Sequence, residues 1–189
     1  MSDFRKLSAG SRAPRDWRNG GGATNVIAVF PDEADDDNFL WRASIATIAV
    51  EGSFSTWPGI DRALVLLRGQ ITLLIGGRER QLEVGAPAMV FAGEEDVAAR
   101  PEGGPCSVLN IMTRRGCIEA RLERWMTARP SDAQQLLLLA QRSMAVEIDG
   151  RSLALDADDA MLFTNANGRE LHFYHPLILA ELFELPRRF

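Results

Sequence analysis

A chain of 189 residues that is 46% hydrophobic has enough apolar material for a packed core, which excludes disorder of the whole. Its formal net charge of -5, with no block of Lys or Arg, lacks the electrostatic footprint of a nucleic-acid binder. Its longer apolar runs, such as Ala63 to Leu67 and Leu136 to Ala140, fall far short of the roughly 20 residues that a membrane helix needs, so no membrane partner is expected either.

In chain order, Met1 to Trp17 is charged and broken by Gly10 and Pro14, with no apolar stretch of the signal-peptide kind, which makes a cytoplasmic protein the expectation. Trp41 to Thr47 alternates and reads as a strand, as does Ala63 to Leu67 after the turn Pro58-Gly59. Ile71, Leu73 and Ile75 share one face before Gly76-Gly77 turns the chain into Arg80 to Val84, which is a hairpin. Asn110 to Arg115 alternates again. Ile118, Leu122, Trp125 and Met126 then recur at near-helical spacing, and a short amphipathic linker helix is expected there, ended by Pro130-Ser131-Asp132. Met144, Val146 and Ile148 alternate up to Asp149-Gly150, and Leu153 and Leu155 resume the pattern. The terminal run Leu177 to Leu185 suits a last strand or a short helix.

The second hairpin repeats the first. Gly77-Arg78 matches Gly150-Arg151 and, after a one-residue slip, Ala88 to Phe91 matches Ala160 to Phe163. The expected fold is therefore all-β and duplicated: a barrel over residues 1–117, then the linker helix and a second barrel over 118–189, with terminal strands exchanged between them. Cys106 and Cys117 are the only cysteines, so a disulfide framework is not expected and both should remain thiols.

Gly85, Phe91 and Gly93 after the first hairpin look like the second motif of the cupin barrels. With those glycines in place, Asp96 stands where a cupin has a metal-binding histidine. Counting back seven positions from Gly69, the usual glutamate ligand of the first motif is replaced by Arg62. The two histidines, His172 and His175, lie elsewhere, so neither a metal nor another cofactor is implied. Trp17, Asn19 to Gly22 and Thr24, then Trp41-Arg42 with Ser44 to Ala46, then Gly52, Phe54-Ser55 and Pro58 to Arg62, closed by Asn110 to Gly116, together resemble the HutD/Ves family of bacterial bicupins. The one departure noted is Trp57, where many relatives have Phe. The resemblance implies a double cupin, two fused jelly-roll-like barrels, and a regulatory role linked to histidine utilisation or stress. It implies no established reaction.

Cupins bind small molecules inside the barrel, which directs attention to the polar residues of these motifs. Arg62 enters its strand at a barrel mouth, and its planar guanidinium suits a carboxylate, although a structural ion pair with Asp61 would explain it as well. Arg42 and Ser44 share a strand face that is either cavity wall or solvated. Asn19 and Gly21, in a glycine run, allow a close backbone approach or form a bare turn. Asn110 and Arg114 point one way from their strand, which is either a binding surface or a solvated edge. The leading reading is a metal-free binding or regulatory protein holding a small anionic metabolite, of the urocanate or formylglutamate kind if the resemblance guides the choice. An isomerase or hydrolase using Asp61 or Asp96 as base is the alternative. A structural protein whose sheets form a homodimer is the third.

Overall fold

The computed structural model describes residues 4–17, 21–166, 168 and 171–186. The chain divides into two compact units, Ala13–Cys117 and Met1–Arg12 together with Ile118–Phe189. It opens with β1 (Phe4–Leu7) and a 3-10 turn (Ala9–Ser11). The 13–117 unit then contains β2 (Arg15–Asp16), β3 (Gly22–Phe30), β4 (Trp41–Ile48), β5 (Gly52–Ser53), β6 (Ile60–Ile75), β7 (Arg78–Leu82), β8 (Met89–Ala92) and β9 (Val97–Arg114). The other unit adds β10 (Ile118–Trp125), β11 (Gln135–Ala140), β12 (Met144–Ile148), β13 (Arg151–Leu155), β14 (Ala160–Phe163), β15 (Leu171–Phe173) and β16 (Leu177–Glu184). No α-helix occurs among the described residues.

In the 13–117 unit the sheet runs β2-β3-β4-β9-β6-β7, with β5 paired to β9 and β8 to β6. The two long strands β6 and β9 pair from Ile60↔Arg114 to Ile75↔Val97, with register shifts between Leu66 and Gln70. Gly69 lies at this bulge with φ +84°, and a Cβ there would stand 2.8 Å from the Cys106 Cβ, so only glycine fits. A bulge bends a strand pair, and here it separates the two arms of β6 and β9. The inward face carries Ala46 and Ile48 of β4, Leu64 and Leu66 of β6, Phe91 of β8 and Val108 of β9, all of one buried cluster.

The second unit forms two sheets, β1-β14-β11-β16-β10 and β13-β12-β15. Its core gathers Trp125, Leu136, Leu138, Val146, Ile148, Met161, Phe163, Leu177 and Leu179. The two matching hairpins are present in both units: Gly76 and Gly77 have φ of 54° and 78°, Asp149 and Gly150 49° and 76°, the paired positive values that tight two-residue turns require. β1 pairs with β14 from Phe4↔Phe163 to Leu7↔Ala160.

The expected linker helix is a strand. Ile118 to Trp125 pairs along its whole length with β16, from Ile118↔Glu184 to Trp125↔Leu177. Ile118, Ala120 and Leu122 also alternate with Glu119, Arg121 and Glu123, so the segment suits either period, and the neighbouring apolar strand supplies a full ladder of backbone partners. The terminal run, left open between strand and helix, is β16. No helix of the described residues is long and apolar enough to cross a membrane. Cys106 is buried and Cys117 exposed, and the two are not joined.

Candidate functional site

Alternation along three neighbouring strands of the 13–117 unit brings its polar residues together. On β4, Arg42 and Ser44 share a face with Ala46, while Trp41 and Ala43 are fully buried on the other. Register places Asn110 of β9 beside both Ser44 and Leu64, and Met112 beside both Arg42 and Arg62. Arg62, Arg42, Ser44 and Asn110 thus line one cavity of about 660 Å³. Its apolar lining includes Ala46, Leu64, Val108 and Met112, and Trp17 and Trp57 complete the walls with Asp16, Asp36 and several serines.

Arg62 is 8% exposed and packs its guanidinium over two rings, 4.7 Å from the Phe54 centroid and 5.2 Å from that of Phe91. Its Nε donates to Asn110 Oδ1 at 3.3 Å. Burial lowers its pKa to about 10, with no neighbouring charge to offset the desolvation. Among the described residues no carboxylate pairs with it. The aromatic flanks hold the cation flat and partly compensate its lost hydration.

The other predicted residues fall elsewhere. Asp61, adjacent to Arg62 on a strand, points to the opposite side and accepts from Arg115 Nε at 2.8 Å, so it neither pairs with Arg62 nor lines the cavity. Arg115 also pairs with Glu94 at 2.8 Å, and that bond, with the Gly59 N–H donating to the same carboxylate, lowers Glu94 to about 2. Arg114 donates to the carbonyls of Phe39 and Asp37 at 2.9 and 2.7 Å and lines a separate, smaller cavity of about 390 Å³. The Gly21 carbonyl accepts from Ala49 N–H at 2.9 Å, a hairpin contact rather than part of the cavity wall. Asn19 lies outside the described residues. Asp96 is exposed, and its carbonyl accepts from Gly76 N–H at 3.0 Å.

Sequence reasoning did not find the rings on Arg62, nor Trp17, Asp36 and Met112 as lining. Phe91 was accessible in principle, since β8 alternates and pairs Phe91 with Arg62. Phe54 comes from an irregular segment after β5, where no period announces it.

The metal chemistry common among cupins does not fit these residues. The two expected ligand positions hold Arg62, a cation, and Asp96, which faces solvent. Among the described residues no group of three or more His, Cys, Asp or Glu is placed to hold an ion. His172 on β15 and His175 beyond it are both exposed.

Residues 9–176 match the model of the HutD family. The chain is 42% identical over 108 residues to Protein Ves of Cronobacter sakazakii, a match spanning 56% of this chain and only 58% of that protein. It is 32% identical over 183 residues, 89% of this chain and 95% of the relative, to the "Uncharacterized 21.2 kDa protein in hutC 3′ region" of Pseudomonas putida. Among solved structures, HutD from Pseudomonas fluorescens SBW25 superposes with a TM-score of 0.84 at 25% identity, over 97% of this chain and all of that one. At 10% identity and a TM-score of 0.64, oxalate decarboxylase of Lactobacillus farciminis, covering 96% of this chain and 86% of its own, shares the fold alone, which is the double cupin.

Proposed function

We propose that this chain, which belongs to the HutD family, is a binding or regulatory protein that holds a small anionic metabolite in the cavity of its 13–117 unit, with Arg62 as the principal cation. One observation carries the reading: Arg62 is buried and charged yet has no acid partner among the described residues. A guanidinium withdrawn from water is expensive unless an anion accompanies it, and a ligand carboxylate would supply that anion with two parallel hydrogen bonds. Asn110 and Ser44 offer further polar contacts beside it, and the apolar lining suits a short carbon skeleton.

The family name and the position given in the P. putida relative's name favour an intermediate of histidine breakdown, urocanate or a formylglutamate-like dicarboxylate, and a regulatory role in histidine utilisation or stress. A hydrolase or isomerase reading draws less support, because neither Asp61 nor Asp96, its intended bases, reaches the cavity. Calorimetric titration of urocanate and formylglutamate into wild type and Arg62→Ala tests the proposal. Loss of one partner of a desolvated pair costs about 3 kcal/mol or more, so Arg62→Ala should weaken binding by roughly a hundredfold. Arg62→Lys should recover only part, having the charge without the fork. Unchanged affinity in Arg62→Ala would overturn the assignment.

A further inference from the structure

Two of the arginines that reach the cavity are in different states. Arg62 has no acid against it, whereas Arg42 Nη1 donates to Asp36 Oδ1 at 2.7 Å. The Arg42 side chain is 14% exposed and that of Asp36 66%, so the carboxylate approaches from the solvent side a cation already held in the wall. Both residues line the cavity.

Asp36 belongs to the connection between β3 and β4, residues 31–40, and this connection is knitted to keep its shape. Asp35 Oδ1 accepts from the backbone N–H groups of Asp37 and Asn38 at 3.0 and 3.1 Å, and Asn38 Oδ1 accepts from that of Asp35 at 3.0 Å. Arg114 grips the carbonyls of Asp37 and Phe39, and the Leu40 N–H donates to the Phe30 carbonyl at 2.6 Å. Side-chain bonds to local backbone of this kind fix a loop without a regular ladder. Asp36 is therefore presented to Arg42 by a built strap.

We propose that Asp36 is an internal competitor for Arg42 that sets the charge of the ligand the cavity accepts; this rests on the reading of Arg62 as an anion site. With Arg42 neutralised, the cavity offers Arg62 as its one buried cation without an acid partner among the described residues; Arg15 also lines it but is exposed. A molecule carrying a second anionic group meets the like charge of Asp36 and must take Arg42 from it, whereas a monoanion need not. Specificity then comes from a repulsive element as well as an attractive one. Because the Asp36 carboxylate is mostly exposed, the pair itself adds little to folding and the strap keeps its own backbone bonds when the charge is removed.

The experiment compares matched probes of known charge: succinate, glutarate and adipate, each beside its monoamide, titrated into wild type, Asp36→Asn and Asp37→Asn. Asp37→Asn carries the same change in net charge on a residue that does not line the cavity. Asp36→Asn should raise affinity for at least one dicarboxylate by about fivefold or more, while its monoamide changes less than about twofold, and Asp37→Asn should leave that ratio unaltered. Adding Arg42→Ala to Asp36→Asn should abolish the gain. Equal gains for diacid and monoamide, the same ratio change in Asp37→Asn, or no binding of any diacid to Asp36→Asn would each overturn the proposal. If the gain appears but survives Arg62→Ala, the strap stands and the Arg62 assignment fails. If Arg62→Ala abolishes binding while Asp36→Asn changes nothing, the reverse holds.

Discussion

Residues 71–82 and 144–155 fold as the same kind of hairpin, yet the units built around them treat a buried charge in opposite ways. In the second unit Glu181, 5% exposed, accepts from Ser131 Oγ at 2.7 Å and has Arg129 Nη2 at 3.7 Å. Its strand neighbours Leu177 and Leu179 enter a core of closely packed apolar side chains. In the 13–117 unit the buried charge is Arg62, with one long hydrogen bond, two phenyl rings and a cavity in place of a carboxylate. A buried ion with partners belongs to the fold; one without an opposite charge opposes folding and calls for another explanation. The contrast is the ground for proposing the ligand site in the 13–117 unit.

The largest expected effect tests the packed side of the contrast. Phe163 is fully buried and its ring meets that of Phe4 at 5.6 Å. Phe163→Ala should destabilise the protein by about 3–5 kcal/mol, read by urea denaturation, with ligand affinity in the 13–117 cavity little changed once the protein is folded. A second, smaller effect tests the partnered ion. Glu181→Ala leaves the Ser131 hydroxyl without its acceptor and removes one of the two carboxylates near Arg129, which keeps its bond to Glu123, and should cost about 2 kcal/mol in the same assay. A cost near zero would mean that Glu181 is as dispensable to the fold as Arg62 is expected to be, and the contrast would fall.

Much of this was legible in the residues because it depends on local rules. Gly-Gly and Asp-Gly between alternating runs announced both hairpins, since those residues accept positive φ cheaply. Period-two alternation placed Arg42 and Ser44 on one face; the same rule sets Asp61 opposite Arg62, against the ion pair weighed as the alternative. What stayed hidden depends on long-range pairing. Ile118 to Trp125 carries a pattern that suits either period, and only β16, more than 50 positions away, decides it. Phe54 and Asp36 reach the cavity from irregular segments, whose direction no period encodes. Gly93 shows the intermediate case: the motif marked it, but its reason is tertiary, because a Cβ there would stand 2.3 Å from the Trp57 carbonyl oxygen.

The most direct measurement is the unfolding free energy of Arg62→Met at neutral pH. Burial lowers the Arg62 pKa from the usual guanidinium range to about 10. The folded state therefore holds this proton less tightly than the unfolded one, and the charged form opposes folding throughout the range below about 10, with relief only as pH rises above it. Methionine keeps the length and apolar stem while removing the charge. If Arg62 is kept for a ligand, Arg62→Met should be as stable as wild type or more stable by up to about 2 kcal/mol, because an apolar side chain of similar volume replaces a desolvated ion. A loss of about 3 kcal/mol or more would show instead that Arg62 holds the fold together, and would contradict the account at its centre.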